Sequence, residues 1–156
     1  MNKLAVIRVR GIVKVNRDVE ATLRMMRLYK KNYCVIVPSS EIYLGMLKKV
    51  KDFVTWGEIS QEVIKGLIEK RGRLPANKQI DEVYLKEKLN LDYNGFAKQL
   101  FEGKKSLKDV PGLKEFFRLK PPVKGFERGG VKKPFSLGGV LGYRKDKIND
   151  LINRML

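Results

Sequence analysis

The sequence predicts an α+β protein that begins with a compact β-α-β-α-β core, ferredoxin-like in character. In residues 1–59, short β-rich runs alternate with segments whose apolar residues recur at helical spacing. In residues 60–116 only the helical spacing continues, and residues 117–156 combine a basic Gly/Pro-rich loop with a terminal helix. We therefore predict three parts: a core, a charge-balanced helical extension, and a basic C-terminal segment that packs back on the core.

Three β-rich runs predict the strands of the core, at residues 4–10, 33–37 and 54–57. Side chains alternate between the two faces of a strand. The first run is therefore expected to place Ala5, Ile7 and Val9 on one face and Arg8 and Arg10 on the other.

The first helix has a predicted N-cap at Asn16, and Val19, Leu23 and Met26 recur at the spacing of a core-facing stripe. A basic stripe is predicted on another side of this helix, formed by Arg17, Arg24, Arg27 and Lys31.

The second helix is expected to start after Ser39 or Ser40. Its predicted apolar stripe is Ile42, Met46, Val50 and Phe53.

The helical extension is expected to hold helices around residues 63–68, 84–89 and 96–101, followed by a short capped turn at 106–109.

The C-terminal segment opens with residues 116–120, which could add one more strand. Residues 121–145 then hold three of the six prolines and six of the fourteen glycines. A loop of this length without structure of its own is usually functional or ordered by a partner. Asp146 is the predicted cap of a final helix.

The charge is concentrated at the two ends of the chain. There are 34 Lys and Arg against 17 Asp and Glu, a formal net charge of +17. Residues 1–51 carry a net charge of +9, residues 52–116 of +1 and residues 117–156 of +7. Nucleic acid is the leading partner for such a charge, because neutralised phosphates release counterions. We predict two RNA-facing ends around a nearly neutral middle.

Several other classes are disfavoured. No apolar run approaches the ~20 residues that span a bilayer, so neither a membrane partner nor a signal peptide is expected. A single cysteine, Cys34, forms no internal disulfide and predicts the reducing cytosol. Histidine is absent, which excludes His-based triads and His-containing zinc sites. No metal, cofactor or small-molecule substrate is expected.

Four features have a sharper and a simpler interpretation, and the simpler one is preferred for each. The glycines of residues 138–142 lack nucleotide-binding spacing and are expected to let the backbone approach a polyanion. Cys34 is expected to be a buried small hydrophobe. Asp52 and Glu58 could form a paired-carboxylate site, but a helix end and a turn explain them. Trp56 is expected in the core rather than on a base.

The candidate RNA contacts are basic residues of the two ends together with one tyrosine. They are Arg8, Arg10, Arg17, Arg24, Arg27, Lys31, Lys48, Lys49, Arg118, Lys120, Lys124, Arg128, Lys132, Lys133, Tyr143 and Arg144.

Four stretches resemble one known family. LAVIRVRG at residues 4–11 resembles its opening strand, residues 45–58 its second helix and following strand, and residues 118–122 and 133–142 its C-terminal basic loop. The family is the large-subunit ribosomal protein L-thirty, in its long archaeal form, whose eukaryotic relatives are called L-seven. The resemblance keeps its order over essentially the whole chain.

The resemblance implies a structural constituent of the large ribosomal subunit, bound to the large rRNA near the 5S rRNA and beside other ribosomal proteins. Two alternatives stay open. A free RNA chaperone or regulator would use the same physics, and a carboxylate-dependent RNA-processing enzyme would need acids that converge on the basic surface.

Overall fold

The computed structural model describes residues 2–156 and confirms the α+β class. The strands are β1 (Lys3–Arg8), β2 (Tyr33–Pro38), β3 (Val54–Glu58), β4 (Phe117–Arg118) and β5 (Gly142–Tyr143). The helices are α1 (Arg17–Met25), α2 (Glu41–Val50), α3 (Gln61–Arg71), α4 (Glu82–Leu89), α5 (Tyr93–Glu102) and α6 (Ile148–Met155).

The strands form one mixed sheet in the order β4-β2-β1-β3-β5. β1 lies in the centre and pairs antiparallel with β2 and with β3. The C-terminal segment then supplies both edges, since β4 pairs antiparallel with β2 and β5 pairs parallel with β3.

Helices cover both faces of the sheet. Leu4 and Val6 of β1 pack with α1 and α2 on one face, whereas Ala5 and Ile7 pack with α3, α5 and α6 on the other. By alternation Arg8 lies on the same face as Leu4 and Val6, and it is buried. A strand in the middle of a three-layer arrangement has no solvated face.

The predicted caps at Asn16 and Ser40 are confirmed. The Asn16 side chain accepts from the Asp18 backbone N–H at 2.9 Å, and the Ser40 hydroxyl from that of Tyr43 at 3.5 Å. Asp146 differs from its prediction as a cap. It lies inside the 3₁₀ turn Lys145–Lys147 that precedes α6.

Two predicted helix stripes are partly wrong. Ile42 is 77% exposed, because α2 packs on the sheet through Leu47 and Val50. The first helix ends at Met25, and Arg27 takes a left-handed conformation with φ of 61°. Arg27 and Lys31 therefore do not continue the helical stripe.

Residues 121–145 pack more extensively than their composition predicts. Val140 and Leu141 are buried against Val9 in a small apolar cluster. A Cβ at Gly139 would overlap the carbonyl oxygen of Lys133, and a Cβ at Gly129 would lie 2.5 Å from that of Gly138. At these two positions glycine permits close packing of the chain on itself rather than approach to a partner.

Cys34 is fully buried on β2, as predicted, and burial raises the pKa of its thiol to about 12. Because the thiolate is the nucleophile, we expect no alkylation by iodoacetamide at pH 8 in the folded protein and rapid alkylation in guanidinium chloride. Mass spectrometry of both samples measures this, and modification of the folded protein would contradict it.

Within residues 2–156, none of the helices has the length and apolarity to cross a membrane.

Candidate nucleic-acid interface

Five chain segments meet at one end of the sheet, which we call the basic end. The strand registers pair Arg8 with Val54 and Tyr33 with Arg118. The C-terminal ends of β1 and β4 and the N-terminal ends of β2, β3 and β5 therefore lie side by side. The segments joined to these ends carry most of the candidate contacts.

Arg10 and Lys31 line the same surface pocket at the basic end, beside Val131. Arg10 donates to the backbone carbonyl of Asp52 at 3.3 Å, and its guanidinium carbon lies 5.1 Å from the centroid of the Phe53 ring. These contacts hold the Arg10 side chain against the start of β3, while Lys31 is exposed.

Lys120 lies next to the turn before β2, which carries Lys31. The Leu119 N–H donates to the carbonyl of Asn32 at 3.1 Å, and the Lys120 N–H donates to that of Met155 at 2.9 Å. The Lys120 side chain is exposed between the turn before β2 and the end of α6.

The last turn of α2 adds Lys48 and Lys49, both exposed. α2 runs toward the basic end, because β3 starts there only four residues after α2 ends. Cations in the last turn of a helix also stabilise the helix dipole, so their position has a structural benefit of its own.

The C-terminal segment contributes exposed cations around its packed centre: Lys124, Arg128, Lys132 and Lys133. Lys124 lies in a turn that Arg154 fixes by donating to the carbonyl of Gly125 at 2.7 Å. Lys132 follows Val131, whose side chain packs against the cluster of Val9.

Arg8 does not lie on this surface, contrary to the prediction. Its side chain donates to three backbone carbonyls: Leu28 at 2.7 Å, Arg10 at 2.9 Å and Gly11 at 3.2 Å. Burial lowers its pKa, and Glu20 partly offsets this. Arg8 therefore fixes the two turns that carry its exposed neighbours.

Arg144 is the second buried arginine, at 2% exposure. It donates to Glu127 at 2.7 and 3.4 Å, to the hydroxyl of Thr55 at 2.8 Å and to the carbonyl of Val140 at 2.8 Å. Its guanidinium carbon is 4.8 Å from the Phe135 ring centroid. The N–H donors of the Arg144 guanidinium thus bond to groups within the protein. The prediction that Arg144 contacts a phosphate is corrected: its contacts are internal.

Two other candidates have acidic partners within the chain. Arg27 forms an ion pair with Glu115. Tyr143 is 46% exposed, and the hydrogen bond from its hydroxyl to Glu58 raises its pKa to about 12. Tyr143 lies on edge strand β5 beside the half-buried Trp56, which packs with the α1–α2 face as predicted for a core residue.

α1 provides Arg17 and Arg24, which are exposed. Arg24 forms an i,i+4 ion pair with Glu20 at 3.0 Å. Because both side chains reach solvent, the pair contributes little to protein stability, and Arg24 can exchange Glu20 for another anion.

Sequence reasoning missed three exposed lysines near the basic end: Lys14, Lys30 and Lys51. Each lies in a turn between a strand and a helix in the first, basic third of the chain. The predicted stripes carried the first two helices to Lys31 and Phe53, so Lys30 and Lys51 were expected on helices. The high net charge of this third was the available signal.

The paired-carboxylate alternative fails on distance. Asp52 lies in the turn before β3 and Glu58 ends the strand, so the length of β3, about 13 Å at ~3.3 Å per residue, lies between them. Within residues 2–156, acidic and cysteine side chains form no cluster of three suited to a metal ion.

Comparison with known proteins first identifies the class of protein. The profile of the family described as "Ribosomal protein L30p/L7e" matches residues 4–54, from β1 to the first residue of β3. The relatives described next match 94–97% of the chain and are also ribosomal proteins.

Three archaeal relatives are each named "Large ribosomal subunit protein uL30". That of Methanococcus vannielii is 51% identical over 97% of this chain and 98% of its own length. Those of Nanoarchaeum equitans and Methanopyrus kandleri are 48% and 47% identical, over 97% and 94% of this chain and 97% and 99% of their own lengths. This chain belongs to the ribosomal protein L30p/L7e family, which confirms the resemblance drawn from the sequence.

Proposed function

We propose that this protein is a structural, non-catalytic constituent of the large ribosomal subunit that binds large-subunit rRNA through its basic end. The observation that carries the proposal is that separate segments bring the partly exposed Arg10 and the exposed Lys31 and Lys120 together at one end of the sheet. The names of the relatives support the ribosomal setting, and the family resemblance adds a position near the 5S rRNA and neighbouring ribosomal proteins.

The binding mechanism is the fixing of RNA helices by phosphate contacts. Such contacts set position and orientation but carry no base information. Four candidates are set aside, because Arg8 and Arg144 are buried and Arg27 and Tyr143 contact Glu115 and Glu58. The proposed contacts are the other twelve, whose side chains reach solvent: Arg10, Arg17, Arg24, Lys31, Lys48, Lys49, Arg118, Lys120, Lys124, Arg128, Lys132 and Lys133.

Preorganisation of this surface is the role that we assign to Arg8 and Arg144. Arg8 ties the turn after β1 to the turn before β2, and Arg144 ties residues 127–140 to β3. A surface held in place by buried hydrogen bonds loses less conformational entropy on binding than a mobile loop.

Removal of exposed charge at the basic end tests the proposal. We expect Lys31→Ala, Lys120→Ala and Lys132→Ala together to reduce the slope of log K against log salt by roughly 2–3, at ~0.7–0.9 for each phosphate that is no longer neutralised. Fluorescence anisotropy with a large-subunit rRNA transcript from Methanococcus vannielii, at several salt concentrations, measures the slope.

The matched control removes three exposed lysines from the nearly neutral middle of the chain: Lys70, Lys78 and Lys98. It lowers the net charge equally, so any general effect of charge is the same. We expect its slope to stay within one unit of the wild-type value. Equal reductions of the slope by both sets would reject the basic end as the binding surface and the division of the chain into RNA-facing ends and a neutral middle.

A further inference from the structure

An aromatic cluster borders the basic end on the α1 side of the sheet. Tyr33 and Phe116 stack nearly parallel, with centroids 5.1 Å apart and an interplanar angle of 7°. Tyr29 meets Phe116 edge-on at 5.6 Å and 85°. The guanidinium carbon of Arg118 lies 5.9 Å from the centroids of both Tyr33 and Phe116. We call these four residues the aromatic cluster.

Tyr29 is the member of the cluster with the most exposed ring. It is 44% exposed, whereas Tyr33 and Phe116 are half-buried against the core. The preceding residue is fixed, because the Leu28 N–H donates to Leu23 at 2.9 Å and the Leu28 carbonyl accepts from the buried Arg8. The chain thus holds a large aromatic ring at the surface on a rigid turn, at a low cost in conformational entropy.

The charges around Tyr29 complement a nucleic acid. Lys30 and Lys31 follow it directly and are exposed, and a surface pocket joins it to Arg24. Two acids lie nearby: Glu20, which lines the same pocket and forms an exposed pair with Arg24, and Glu115, which pairs with Arg27. An exposed aromatic side chain followed in sequence by two exposed cations fits a nucleotide, which offers a base to stack and a phosphate to neutralise.

We propose that Tyr29 stacks on an unpaired base of the bound RNA, with Lys30 and Lys31 on its flanking phosphates. This inference rests on the proposed function and adds a different mode of recognition. Phosphate contacts at the basic end are possible with single and with double strands, whereas a stacking platform requires a base that has left its helix.

Binding of two simple RNAs by the full-length protein tests the inference. The probes are a twelve-nucleotide oligo(A) and a twelve-base-pair duplex. We expect Tyr29→Ala to weaken oligo(A) binding about ten-fold and to leave duplex binding within about two-fold. Tyr29→Phe, which keeps the ring, should bind oligo(A) like the wild type.

Two further variants separate stacking from general effects. Phe101→Ala removes an aromatic of similar exposure, 38%, from the neutral middle and should change neither affinity. Tyr29→Leu keeps apolar packing on Phe116 but offers no ring. It should therefore bind oligo(A) about ten-fold more weakly and keep its affinity for the duplex, whether or not the alanine variant folds. Unchanged oligo(A) binding by Tyr29→Leu would overturn the inference, as would an equal loss of affinity for both RNAs. If the wild type bound the rRNA transcript but not oligo(A), the inference would be overturned and the proposed function would stand. Failure of the wild type to bind the transcript would refute the proposed function.

Discussion

Replacement of Arg144 by Ala is expected to destabilise the protein by about 3 kcal/mol, the lower part of the range for breaking a buried ion pair. The substitution leaves Glu127 without its bidentate partner and removes the donors to Thr55 and Val140. We place the value at the lower end because Glu127 keeps 23% exposure and regains some hydration. Urea unfolding followed by far-UV circular dichroism measures the change.

The neighbouring Arg128 supplies the control. It is in the same basic segment and its side chain reaches solvent, so Arg128→Ala should change the unfolding free energy by no more than about 0.5 kcal/mol. Arg128→Ala should instead weaken RNA binding, since Arg128 is a proposed phosphate contact and Arg144 is internal. Equal stability of the two variants would show that the Arg144 hydrogen bonds do not hold residues 121–145 in place.

Replacement of Gly57 by Ala is expected to cost roughly 3 kcal/mol or more, the upper range for overpacking. A Cβ at this position would overlap the carbonyl oxygen of Lys145 and would lie 3.1 Å from the Cβ of Ile148. The obstacle is backbone rather than a flexible side chain, so β3 and the start of α6 must separate. Thermal and urea unfolding measure the decrease in stability.

Gly45→Ala is a control of opposite sign. Gly45 lies within α2, is exposed, and has open space where the Cβ of an alanine would be, with no heavy atom within 4 Å. Alanine has the higher helix propensity, so this variant should gain about 0.5–1 kcal/mol. If Gly57→Ala were as stable as the wild type, the close packing of the C-terminal segment on β3 would be wrong.

Local patterns in the sequence predicted most elements of the fold. The strand runs at residues 33–37 and 54–57 and the caps at Asn16 and Ser40 depend on neighbours in sequence, and the structure confirms them. β5 was not predicted, because a strand of two residues contains too few side chains to show alternation. Its position is set by its pairing with β3, in which Thr55 lies opposite Gly142 from the far end of the chain.

The sequence also did not show which arginines are buried and which are exposed. Arg8 and Arg144 occur in basic stretches like those of their exposed neighbours, yet both are buried. What decides their burial is the carbonyl groups and the carboxylate that distant segments bring around them. Net charge along the chain located the two ends where cations exceed acids, but tertiary structure decided which of these cations are exposed.

The two short edge strands have a consequence for biosynthesis. β1, β2 and β3 are complete once residue 58 has been made, but the strands that cover β2 and β3 come from residues 117–118 and 142–143. In a nascent chain the edge of β2 therefore stays unpaired until residue 118 has left the exit tunnel. The edge of β3 stays unpaired until residue 143 has left it. Open edges are templates for pairing between chains, so the interval before C-terminal closure is the period in which this protein most needs protection by chaperones.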